Sequence, residues 1–83
     1  MFTYKTKGTC STEINFSIED NIIKKVNFER GCEGNLKGIS ALISGMKVDD
    51  AISRLEGIDC HGKGTSCPDQ LAKALKEWKA GNL

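Results

Sequence analysis

Apolar and polar residues alternate along the first third of the chain. Phe2 and Tyr4 form one run, Ile14, Phe16 and Ile18 a second, and Val26 and Phe28 a third, each broken by single polar positions. This is the period of a strand with one face buried. Glu19-Asp20-Asn21 separates the second run from the third, and Asn21 tolerates a left-handed backbone, so these two strands are expected to form a hairpin. Gly8-Thr9-Cys10 makes the earlier turn. The pattern predicts a three-stranded antiparallel meander from Phe2 to about Glu29, with one apolar face that needs cover.

After Gly31-Cys32 the period lengthens to that of a helix. Leu36, Ile39, Leu42, Ile43 and Met46 fall on one stripe, and Gly45 supplies a stop. Val48, Ala51, Ile52 and Leu55 mark a second, shorter helix with Asp49 and Asp50 at its positive end and Gly57 at its exit. Ile58 to Thr65 reads as a glycine-rich loop. The last helix is signalled by Ser66 as N-cap and Pro68 in the first turn, with Leu71, Ala74, Leu75 and Trp78 inward and an end near Gly81. Strands first and helices afterwards predict one α+β domain over residues 1–83, a three-stranded antiparallel sheet followed by three helices packed on one face.

Composition narrows the function. The chain has 83 residues, 12 Lys and Arg against 11 Asp and Glu, and a net charge of +1. The lysines are scattered, so no nucleic-acid footprint is expected. There is no apolar run of membrane-spanning length and no export signal at the N-terminus, which predicts a cytoplasmic protein with no membrane association. A chain this short buries only about 60 to 65% of its unfolded surface, and small domains of this kind often take extra stability from a cross-link or a bound ion.

Cys10, Cys32, Cys60 and Cys67 are the candidates for that chemistry. In a reducing compartment an even set of cysteines reads first as metal ligands or as a dithiol pair. Each falls at an element boundary: the first strand turn, the start of the first helix, the loop, and the start of the last helix. Thiolate at a helix start is favoured by unpaired amide donors and the helix dipole. Four thiolates suit tetrahedral zinc, or iron held singly or as a cluster. His61 is a possible substitute ligand, although a solvated loop residue is the plainer reading of it. The gaps between the cysteines are 21, 27 and 6 residues, so the CxxC knuckle of zinc ribbons is missing.

No catalytic set stands out. Cys60 and His61 are adjacent, a spacing that seldom aims both groups at one substrate atom, and no third group orients the imidazole. Gly62-Lys63-Gly64-Thr65-Ser66 has the composition of a phosphate loop without its spacing or its preceding strand.

Thr65-Ser66-Cys67-Pro68-Asp69 spells the signature after which TSCPD domains are named. Over nearly its whole length the chain resembles the small stand-alone four-cysteine members of that family, which are related to the C-terminal domain of cobalamin-dependent ribonucleotide reductases. The resemblance implies an accessory or electron-transfer role beside a ribonucleotide reductase or another redox protein. An 83-residue chain has no room for the reductase barrel itself.

Residues Cys10 to Leu75 are also similar to iron-sulfur cluster scaffold proteins. The carriers of that resemblance are Cys10 before Ile14 to Ile18, the run Val26 to Cys32, Cys67 before Leu71 to Leu75, and the helix, glycine turn and helix over Ser40 to Ile52. It implies the same sheet-and-helices fold. The scaffold's aspartate after its first cysteine is Thr12 here, its histidine before the last cysteine is Ser66, and Cys60 is extra. A fourth thiolate in place of labile ligands implies a site that keeps its metal.

The expectation is a small module binding zinc or an iron-sulfur cluster through Cys10, Cys32, Cys60 and Cys67. A thiol redox pair such as Cys60 and Cys67, or a purely structural interaction domain, are the alternatives. A small sheet with one bare edge admits a monomer or a homodimer.

Overall fold

Two consecutive left-handed residues, Asp20 (φ 54°) and Asn21 (φ 63°), turn strand β2 (Glu13–Glu19) directly into β3 (Ile22–Glu29). Positive φ at both central positions matches the right-handed twist of the flanking strands and closes a two-residue hairpin. Strand β1 (Phe2–Lys5) lies on the other side of β2, and the sheet order is β1-β2-β3, antiparallel throughout. The computed structural model describes residues 1–8, 11–30, 33–58, 62 and 64–83.

Register explains the buried face. Phe2 pairs with Phe16 and Tyr4 with Ile14, and across the hairpin Ile14 pairs with Phe28 and Phe16 with Val26. The strand alternation in the sequence therefore reads correctly over β1, β2 and the second half of β3. Pairing then slips: Ser17 faces Lys25 but Ile18 faces Ile23, leaving Lys24 as the extra residue of a bulge. The bulge lets Ile23 join Val26 in the core although three positions separate them. The opposite face carries Thr3, Asn15 and Asn27, with Thr3 Oγ1 donating to Asn15 Oδ1 at 2.7 Å and Asn27 Nδ2 to Glu29 Oε1 at 2.8 Å.

Three helices follow: α1 (Glu33–Ile43), α2 (Val48–Leu55) and α3 (Cys67–Lys79). This is the expected α+β order. Leu36 and Ile43 are buried where α1 lies on β3. Leu42 was expected on the same stripe but is 78% exposed. It stands one residue before Ile43, about 100° around the helix, which carries it off the face that meets the sheet.

Gly45 (φ 89°) ends the first helix, as its position suggested. Its N–H donates to the Ile23 carbonyl at 2.7 Å, Ile23 N–H donates to Met46 O, and Val48 N–H to Asn21 O. The connection between α1 and α2 thus pairs with the start of β3 and covers that end of the sheet edge. Helix α2 packs on α3, and Lys76 and Lys79 of α3 pair with Glu56 and Asp49 on their exposed side.

One core unites these parts. Ile14, Phe16, Ile23 and Val26 from the sheet meet Ile43, Val48, Ala51 and Ile52, and Leu71, Ala74 and Leu75. Trp78 packs at its margin, edge-on to Phe2 with ring centroids 6.3 Å apart. Among the described residues no helix is long and apolar enough to cross a membrane.

Candidate functional site

The last helix begins with its own cap. Ser66 sits in extended backbone (φ −154°, ψ 171°), and its Oγ accepts the Asp69 N–H at 3.1 Å. Pro68 occupies the first turn, where its missing N–H costs nothing. Together they fix Cys67 as the first residue of α3. Its side chain is half-buried, and Sγ lies 3.1 Å from Ser11 Oγ, at the residue that follows Cys10 in the chain.

Behind Cys67 lies a buried polar network. Asp69 is 4% exposed, and its two carboxylate oxygens reach in different directions. Oδ1 accepts the Gly57 N–H at 2.7 Å, and Oδ2 accepts the Thr65 hydroxyl at 2.6 Å with Lys73 Nζ at 3.4 Å. Gln70 Nε2 donates to Thr65 Oγ1 at 3.0 Å, while Gln70 Oε1 accepts the Lys7 N–H at 3.1 Å. Gly8 (φ 74°) passes so close that a Cβ there would lie 3.3 Å from the Thr65 methyl. Among the described residues no buried side-chain nitrogen or oxygen lacks a partner.

Burial alone pushes the Asp69 carboxyl up. The Thr65 hydroxyl, the Gly57 amide and the Lys73 charge outweigh that and hold it below its ordinary value. Asp69 is therefore an ionised carboxylate in the interior, stabilised by donors from two other segments.

Of the predicted ligands, Cys67 is placed at the start of α3 as expected. Cys10, Cys32, Cys60 and His61 lie outside the described residues. Among the described residues no group of three or more His, Cys, Asp or Glu is arranged to hold a metal ion. The described chain on the cysteines' flanks is nonetheless drawn together. Ser11 touches Cys67, Thr12 N–H donates to Glu29 O at 2.9 Å beside the run leading to Cys32, and Gly57 in the approach to Cys60 is bonded to Asp69. The Ser66 hydroxyl occupies one of the amides a phosphate would use at this helix start, which weakens the phosphate-loop resemblance.

Ser11, Asp69 and Gln70 were not singled out by their chemistry in the sequence. Ser11 offers no signal, since its partner is 56 residues away. Asp69 carries one: Thr65 and Asp69 are spaced i, i+4 across an N-cap, a spacing that lets a hydroxyl before the helix reach a carboxylate in its first turn.

The TSCPD domain model matches residues 2–79 of this chain. The chain belongs to the TSCPD domain family, and the match spans all six strands and helices. No curated protein and no solved structure matches it.

Proposed function

We propose that this protein is a small metal-binding module in which Cys10, Cys32, Cys60 and Cys67 hold one zinc ion or iron-sulfur centre, with His61 as the substitute for one thiolate. The observation that carries the reading is the meeting of two cysteine-flanking segments at the start of α3, Ser11 against Cys67 and Gly57 on Asp69, with Thr12, next to Ser11, bonded in turn to Glu29 at the end of β3. The donor chemistry fits, because four thiolates satisfy a tetrahedral zinc ion or an iron-sulfur cluster. Bound zinc would supply folding stability, and a cluster would supply one-electron chemistry. The protein's own part is to hold Cys67 at a capped helix start and to tie the neighbouring segments to it. A lasting site accords with an ionised, fully bonded Asp69 beneath it.

The test is metal and acid-labile sulfide per chain in anaerobically purified protein, with its absorbance spectrum. One zinc, or iron with sulfide, per chain supports the module. Folded protein with four free thiols and neither metal overturns it.

A second reading is a thiol redox module, with Cys60 and Cys67 as the pair, delivering electrons to a ribonucleotide reductase or another redox protein. Its support is the partial exposure of Cys67 beside Ser11, which leaves the sulfur within reach of a partner. Reversible oxidation of two thiols in metal-free, folded protein would support it, and failure to form any intramolecular disulfide under oxidising conditions would remove it.

A further inference from the structure

One carboxylate joins the exit of α2 to the entrance of α3. Asp69 Oδ1 accepts the Gly57 N–H at 2.7 Å and Asp69 Oδ2 accepts the Thr65 hydroxyl at 2.6 Å. Eight residue steps separate Gly57 from Thr65, enough extended chain to span about 27 Å. Both ends are instead held within one hydrogen bond of the same side chain, which is 4% exposed and sits two residues beyond Cys67. Gln70 Nε2 adds a bond to Thr65 Oγ1 and passes the linkage on to Lys7, in the approach to Cys10. We propose that Asp69 is a positioning residue: it clasps Gly57 to Thr65 and thereby holds the start of α3, where Cys67 is the first residue, fixed against the exit of α2.

The clasp differs from an ordinary helix cap. Ser66 Oγ already caps α3 by accepting the Asp69 N–H, so the Asp69 carboxylate is not needed for that task. Its partners lie on the preceding segment, 12 and 4 residues away, and among the described residues its counter-charge is the half-exposed Lys73. Breaking the clasp is expected to free the ends of the segment while leaving Leu71, Leu75 and Phe16, which are fully buried, in place. Local opening of this kind, separate from global unfolding, is a property hydrogen exchange reads directly.

The effect on the thiols rests on the metal-binding reading above, whereas the clasp itself does not. The experiment uses the full chain as wild type, Asp69→Ala, Thr65→Val and Thr65→Ser, measuring amide exchange and zinc affinity by competition with a chromophoric chelator. Asp69→Ala is expected to exchange the Gly57 amide at least about tenfold faster, with the Leu71 and Leu75 amides still protected, and to bind zinc about tenfold more weakly. Thr65→Val releases one end only and should show the same changes at severalfold, while Thr65→Ser, which keeps the hydroxyl, should match wild type in both readouts.

Unchanged Gly57 exchange in folded Asp69→Ala overturns the clasp. Faster exchange with unchanged zinc affinity overturns the positioning role. If Asp69→Ala does not fold, Thr65→Val decides by the same two readouts. Wild-type protein that binds no zinc sinks the metal reading and leaves the clasp to be judged on exchange alone.

Discussion

Ser11 and Cys67 stand 56 residues apart in the chain and meet side chain to side chain, Oγ to Sγ, at 3.1 Å. Thr6 Oγ1 donates to the Ser11 carbonyl at 2.5 Å, so Ser11 is tied to the residue that follows β1 as it meets α3. A Cys67→Ser variant keeps a hydrogen-bonding group toward Ser11 but removes the sulfur. It is expected to fold and to lose both metal content and melting temperature; full metal and an unchanged Tm, by elemental analysis and calorimetry, would exclude Cys67 as a ligand.

Chelation should act on stability as well as on composition. Metal bound to the native state alone adds RT ln(1 + [L]/Kd), about 2.7 kcal/mol at a hundredfold excess over Kd. Adding a strong chelator is therefore expected to lower Tm in a way that added zinc reverses. A Tm indifferent to both would place the stability of the fold in its apolar core alone.

Acid should weaken the fold through Asp69. Its native pKa lies below the unfolded value of about 3.9, so the unfolded state binds the proton first as pH falls. The stabilisation is fully present well above about pH 4, declines as pH drops through the unfolded pKa, and is gone below the native one. Urea midpoints measured from pH 7 down to pH 3 should fall more steeply for wild type than for Asp69→Ala below about pH 5. Parallel curves would remove Asp69 as the cause.

The α3 cap is testable without touching the thiols. Ser66→Ala removes the acceptor of the Asp69 N–H and is expected to cost about 1 kcal/mol, whereas Ser66→Asp should recover most of it. Denaturant unfolding distinguishes the two, and equal losses in both would show that the hydroxyl contributes through another contact.

Core and surface should separate cleanly. Phe16 is fully buried at the junction of sheet and helices, so Phe16→Ala is expected to cost about 3 to 5 kcal/mol. Leu42, 78% exposed, should accept Leu42→Lys within about 0.5 kcal/mol. A large loss at Leu42 would mean that a partner chain covers it.

Local periodicity made much of this protein legible. The alternation of Phe2, Tyr4, Ile14 and Phe16 lies on one face because strand side chains repeat every two residues, whatever else the chain does. Asn21 in a left-handed turn, Gly45 as a helix stop and Ser66 as an N-cap act over a few residues each, and all three stand where the sequence placed them. The bulge at Lys24 and the exposure of Leu42 were not readable, since each depends on how a neighbouring element is set against the strand or helix.

The sequence by itself determined the order of elements, the family and the reactive residue types, because these follow from short-range backbone preferences and from the identity of the side chains. Only the tertiary structure decided that Ser11 meets Cys67 and that Asp69 ties Gly57 to Thr65. A buried carboxylate keeps its charge only where donors from distant segments replace water, and which donors arrive is settled by the packing of the whole chain.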